Sequence, residues 1–221
     1  MAAAADDIGT LSGLVNNAGI TFAGPVEHLP LDRLRAQLEV NVVGLVATTQ
    51  AFLPAIRAGG GRVVMISSTA GRVATPFLGA YSASKFAVEV LSDTLRQELR
   101  PWGVPVVIVE PGSFTSRNRA GTETAVRADR TSLSADAESR YGAALDAFLE
   151  FGRKTEARAG DPARVAEVVE RALTTSRPRV RYLVGADSRV TVALSRLLPT
   201  GAMDALLTRA VGLPRRAGAR P

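Results

Sequence analysis

The sequence contains no cysteine, which removes disulfides, thiolate metal sites and a cysteine nucleophile from consideration. Histidine is nearly as scarce. His28 stands alone, so neither a His-rich metal site nor a Ser-His-Asp triad has material to build on. It reads as a solvated loop residue. Lysine is confined to Lys85 and Lys154. No uninterrupted apolar run approaches the roughly 18 residues of a membrane span. The start, Met1 to Asp7, lacks the basic region of a signal peptide. What is present is ordinary globular composition, with 46% hydrophobic and 22% charged residues, so a disordered chain is excluded. Its 221 residues suit one domain better than two. A soluble, cytoplasmic domain is the expectation.

The formal charge of +6 is unevenly distributed. Residues 151–221 carry 14 Lys and Arg against 6 Asp and Glu, whereas residues 1–150 carry 13 against 15. A basic final third raises the question of nucleic acid or an anionic membrane surface. Its charges are spread singly along helix-like segments, without interleaved aromatics or a binding motif, so a solvated face is the better reading. No nucleic-acid partner and no membrane span are expected.

Periodicity along the chain alternates between strand and helix. Residues 11–16 form a short apolar strand ending in Asn16-Asn17-Ala18-Gly19. Residues 32–58 carry Leu34, Leu38, Val42 and Leu45 at helical spacing and end at Gly59-Gly60-Gly61. A buried strand follows at 62–67, a Gly- and Pro-punctuated loop at 69–80, a second long helix at 81–102, and a third strand at 106–109 ended by Pro111-Gly112. Residues 113–160 are polar and Arg-rich, a long excursion with a helix around 137–154. Asp161-Pro162 opens a helix to about residue 175. A short strand at 181–184 precedes a helix whose apolar face is Val190, Leu194, Leu197 and Leu198. That face reads as packed core or dimer surface rather than a membrane contact. Strands separated by long helices imply an α/β fold, a doubly wound parallel sheet with its function at the carboxyl ends of the strands. The domain is expected to occupy residues 1–213, with a disordered basic tail at 214–221.

Those carboxyl ends carry the chemistry. Tyr81 and Lys85 are four apart, on one face of a helix and one turn from each other. A phenol with a pKa near 10 is a poor base at neutral pH, and a neighbouring ammonium favours its phenolate. Ser68, thirteen residues before Tyr81, offers a hydroxyl for a carbonyl oxygen that gathers negative charge; Ser67 competes for the role, and the spacing favours Ser68. The set suits proton transfer at an alcohol or ketone oxygen, coupled to hydride movement from a cofactor.

The run Leu14-Val15-Asn16-Asn17-Ala18-Gly19, then Asn41, Ser68, Tyr81-x-x-x-Lys85 and Pro111-Gly112, resembles the short-chain dehydrogenase/reductase family. The likeness is dense over residues 8–116 and looser to about 185. The stretches Tyr81–Ala87 and Leu91–Arg96 are similar to the branch acting on steroids, retinoids and related alcohols. The resemblance implies Tyr81 as general acid/base, with Lys85 lowering its pKa and bonding the nicotinamide ribose. It implies Ser68 orienting the substrate oxygen and Asn41 holding a relay water. Asn16, Ala18 and Gly19 would line the cofactor groove, and Pro111, Gly112, Phe114 and Ser116 would pass beside the nicotinamide. Ser116 stands where the family usually has Thr. The cofactor so implied is NADP or NAD. The resemblance also implies a homodimer or homotetramer joined through helices 32–58 and 81–102.

One departure is large. The family opens with a strand, a Gly-rich turn and a helix that receive the cofactor pyrophosphate, and no such fingerprint occurs in these residues. Residues 2–10 read as the tail of the helix before the family's fourth strand, so about 70 residues of the expected domain are not represented. A misplaced start or gene fragment is the expected cause. The strand at 11–16 is then an apolar sheet edge. The rival to the enzyme is a non-catalytic remnant that acts as an oligomerisation or binding partner.

Overall fold

The computed structural model describes residues 9–213. The readings of a helix tail at 2–8 and a disordered tail at 214–221 fall outside them, while Gly9 and Thr10 have no regular structure. Four parallel strands, β1 (Gly13–Asn16), β2 (Arg62–Ile66), β3 (Val106–Pro111) and β4 (Arg181–Val184), lie side by side in chain order. The register pairs Val15 with Val64, Met65 with Ile108, and Val109 with Tyr182. Parallel neighbours need helical crossovers, and these supply the layers on the two faces of the sheet.

Side-chain alternation sorts the core between those layers. Val63, Met65 and Val106 point to one face and pack with Leu45 and Ile56 of helix α1 (Leu31–Ala58) and Val88 of helix α2 (Gly79–Glu98). Val64, Val107 and Val109 point to the other and meet Val165, Val169, Ala172 and Leu173. A period of two residues per strand therefore serves two helical layers at once.

Helix α1 opens at Leu31 and is α-helical to Leu38, makes a π turn over Glu39–Val43, and resumes as α-helix from Gly44 to Ala58. A π turn accommodates one extra residue and changes which side chains face the core. Among the described residues α1 is the helix long and apolar enough to cross a membrane by length and composition, although its apolar residues are interrupted by polar ones. Here it lies against β1, β2 and α2, with the polar Gln37, Asn41 and Thr49 buried.

The excursion after β3 is more helical than the sequence suggested. Helix α3 (Arg117–Arg130) precedes helix α4 (Ala135–Glu156), which Ser134 caps by accepting from the Ala137 amide at 3.2 Å. Helix α5 (Ala163–Thr174) is the layer beneath β2, β3 and β4. Helix α6 begins directly after β4, at Ala186, and runs to Leu197, with Leu198 as its C-cap; helix α7 (Thr200–Val211) was not foreseen. A satellite core of Val126, Leu145, Phe148, Leu149 and Val211 joins α3, α4 and α7 above the carboxyl ends of the strands. Val190 and Leu197 are exposed.

Candidate active site

β1 ends at Asn16, and the chain then crosses the top of the sheet through Asn17, Ala18 and Gly19, which line a cleft of about 1440 Å³. Asn16 itself does not line it. Its side chain is buried, and its amide donates to Thr49 Oγ1 at 2.8 Å and to Met65 Sδ at 3.2 Å. Asn16 therefore ties β1 to α1, and the asparagine on the cleft is Asn17. The alternation of a strand allows one of two consecutive asparagines to face each way.

Asn41 sits in the π turn, behind Gly19 rather than on the cleft wall. Its Oδ1 accepts from the Ile20 amide at 2.8 Å, and its Nδ2 donates to the Ile20 carbonyl and to Ser84 Oγ, both at 3.0 Å. The side chain thus stitches the loop after β1 to helix α2. A Cβ on Gly19 would lie 3.3 Å from Asn41 Oδ1 and 3.9 Å from Lys85 Nζ, so the bare backbone there comes close to both.

β2 delivers both serines. Ser68 is half-buried on the cleft wall, where its Oγ accepts from the Ala70 amide at 3.1 Å and caps the short turn Thr69–Gly71. Ser67 also borders the cleft, but its Oγ is buried under Gly71 without a hydrogen-bond partner among the described residues. Tyr81 and Lys85 lie one turn apart on α2 and both face the cleft, with the ammonium 5.9 Å from the Tyr81 ring centre. Lys85 Nζ donates to the Ile66 carbonyl at 2.8 Å. Burial pulls the Lys85 ammonium down from 10.5 to about 8, with the charge of Glu89 opposing the fall.

At the end of β3 the turn Pro111-Gly112 lines the same cleft, followed by Phe114 and the exposed Ser116. The Gly112 amide donates to the Val184 carbonyl at 2.9 Å, and the Ser113 amide to Asp187 Oδ2 at 2.7 Å. Phe114 pairs with Gly160 in an isolated parallel bridge. Asp187 was not singled out from the sequence. It opens α6 just past the carboxyl end of β4, and a Cβ on Gly112 would collide with its carboxylate. The rule that found the other residues, to look beyond each strand end, finds Asp187 too when it is applied to the fourth strand. Apolar walls from Phe148, Leu149, Leu207 and Val211 complete the cleft.

The family model for short chain dehydrogenases matches residues 1–126. The chain belongs to that family. Mouse retinol dehydrogenase 5 is 39% identical over 204 residues, covering 90% of this chain and 64% of that protein. Mouse retinol dehydrogenase 16 is 41% identical over 204 residues, covering 89% and 63% respectively. These likenesses place the chain in the steroid/retinol dehydrogenase-like branch. The crystal structure of a short chain dehydrogenase from Burkholderia cenocepacia in complex with NADP superposes with a TM-score of 0.69 at 25% identity, over 93% of this chain and 72% of that one. The chain spans less than two thirds of the length of the two mouse relatives.

A nicotinamide dinucleotide fits one end of this cleft. Asn17, Ala18 and Gly19 line one wall, Lys85 supplies a cationic donor, and the Pro111-Gly112 turn lines the same cleft. The other end of such a cofactor has no Gly-rich strand–turn–helix to receive its pyrophosphate among the described residues.

Proposed function

We propose that this protein is a nicotinamide-dependent oxidoreductase that interconverts an alcohol and a ketone or aldehyde on a small or lipophilic substrate. The observation that carries the reading is the convergence of Tyr81, Lys85 and Ser68 on one cleft, with Lys85 buried and its pKa lowered to about 8. NAD or NADP, when bound, supplies or accepts the hydride. Tyr81 gives a proton to the carbonyl oxygen in one direction and takes it from the hydroxyl in the other. Lys85, behind the ring, favours the phenolate through its charge and is within a helical turn of it. The Ser68 hydroxyl holds the reacting oxygen while charge builds on it. Asn41 acts through the backbone it clamps at Ile20 and through its hydrogen bond to Ser84, the residue before Lys85. Phe148, Leu149, Leu207 and Val211 favour an apolar substrate body and exclude water around the reacting oxygen. A cytoplasmic location belongs to the same reading.

Tyr81→Phe tests it. In an alcohol-oxidation assay with either dinucleotide, turnover should fall by about a thousandfold while the circular dichroism spectrum is unchanged. Substantial turnover in the variant sinks the assignment of Tyr81. A second reading draws on the exposed Val40 and Val43 of α1 and Phe86 and Val90 of α2, an apolar strip on the two helices that would pair chains. In that reading the protein is an oligomerisation partner. Titration of NADH and NADPH into the 221-residue chain separates the two, since the partner reading needs no dinucleotide binding.

A further inference from the structure

Below the cleft, on the face of the sheet that carries α2, lies a cluster of charges that the reaction above does not use. Glu89 follows Lys85 by one helical turn and is 6% exposed, and Glu110 immediately precedes Pro111 and is 1% exposed. Two guanidinium groups hold them. Arg181 of β4 donates to Glu89 Oε2 from Nη2 at 3.2 Å, and its Nε lies 3.1 Å from Glu110 Oε1. Arg72, which follows the turn that Ser68 caps, places Nη1 3.8 Å from Glu89 and 3.7 Å from Glu110. Asp93, one turn further along α2, takes Arg181 Nη2 at 2.6 Å and pairs with Arg96.

The membership is informative. Three of the segments that present residues to the cleft each send one charged group into the cluster. The Ser68 turn sends Arg72, the Lys85 helix sends Glu89, and the strand before Pro111-Gly112 sends Glu110. Gly71 seals the arrangement, because a Cβ there would come within 2.9 Å of the Lys85 carbonyl and 3.1 Å of Glu89 Cγ. Buried carboxylates are expensive to hold ionised without partners, so a cluster of this kind needs its guanidinium groups in place.

We propose that Glu89 is a positioning residue for Lys85. Its carboxylate, held by Arg72 and Arg181 in company with Glu110, keeps the buried ammonium charged and ties the Ser68 turn and the Pro111-Gly112 turn to the same helix. Burial disfavours the Lys85 charge, and Glu89 is the acidic group among the described residues whose field opposes that loss. Burial and the nearby Glu89 charge raise the Glu110 carboxyl above its ordinary value, with Arg72 and Arg181 opposing the rise. The use of a charged Lys85 beside Tyr81 rests on the function proposed above. The cluster's hold on Lys85 does not, and its test needs neither cofactor nor turnover.

With Lys85 and Lys154 the only lysines, the 221-residue chain labelled with ¹³Cε-lysine gives two signals, and Lys154→Arg assigns them. Titration from about pH 4 to 11 should place the Lys85 midpoint near 8 in the parent. In Glu89→Gln the midpoint should fall by about one unit, a tenfold change in acidity constant, with Lys154 unmoved. Glu89→Asp, which keeps the charge on a shorter arm, should bring it back toward the parent value. A Glu89→Gln chain that is folded and has the parent midpoint overturns the proposal, since a cluster that merely braced the fold would alter stability and leave Lys85 alone. Should Glu89→Gln not fold, Glu89→Asp decides, because a carboxylate set back on a shorter arm should leave the Lys85 midpoint a fraction of a unit below the parent's. A folded Glu89→Asp chain with the parent midpoint then overturns the proposal.

Discussion

Lys85 carries its charge where burial opposes it, and this shapes how stability depends on pH. Its folded pKa of about 8 lies below the unfolded value near 10.5, so between those limits the unfolded chain binds more protons than the folded one. Stability therefore rises with pH across that window, by about 3 kcal/mol for a shift of this size. Lys85→Met removes the group. Urea unfolding at a series of pH values should find the variant's advantage over the parent greatest below pH 8, with that advantage shrinking by about 3 kcal/mol as pH 10.5 is approached. A constant difference across the window would show that Lys85 titrates normally. At this scale the sequence was most legible where one spacing decides the geometry. Tyr81 and Lys85 share a helix face whatever surrounds them. Asn16 was misread because a four-residue strand does not reveal which of two adjacent asparagines faces the core. Glu89, Glu110 and Asp187 act through partners 71 to 92 residues distant in the chain, and no local pattern announces such meetings.

The connections between elements carry their own constraints, clearest in the three glycines that end α1. Gly61 is buried against the start of β1, where a Cβ would run into the Leu11 carbonyl and the Ser12 backbone. Gly60 faces open space but has a φ of +60°, which disfavours any side chain without forbidding it. Gly61→Ala should cost about 2–3 kcal/mol, because backbone cannot step aside as a side chain can. Gly60→Ala should cost only about 1 kcal/mol. Thermal unfolding of the two variants checks the order, and equal effects would mean that the β1 backbone gives way. The main strands and the two long helices were readable because apolar periodicity is strong there. Helix α3 was not, since Arg117–Arg130 is rich in Arg and Thr and its one large apolar residue is Val126. Its partners, α4 and α7, supply the reason it is helical. Helix α7 escaped because Pro199 breaks the pattern established by α6.

On the scale of the whole molecule, two surfaces are unfinished. The outer edge of β1 has no neighbour among the described strands, and Val15 is 37% exposed there. Val90 on α2, at 65% exposed, and Val43 on α1, at 50%, form part of a second apolar surface on the opposite helical layer. If that strip pairs two chains, sedimentation should give twice 23.2 kDa, and Val90→Glu should return the monomer by placing charge in the seam. A parent chain that sediments as a monomer at high concentration would dispose of pairing through this strip. The parallel order of the sheet could be read from strand–helix alternation, but neither exposed surface could be measured until the helices were in place.

The π turn in α1 limits how this protein can change its length. Asn41 reaches Ile20 and Ser84 from within that turn, which holds one extra residue. Deleting a single residue between Leu31 and Asn41 would let the helix relax to regular α geometry and swing the amide by about 100°. A substitution on the outer face of α1 alters one side chain, whereas such a frame-preserving deletion would unhook the β1 loop from α2 without touching any residue of the cleft. Over this stretch the spacing of residues is under tighter constraint than their identity.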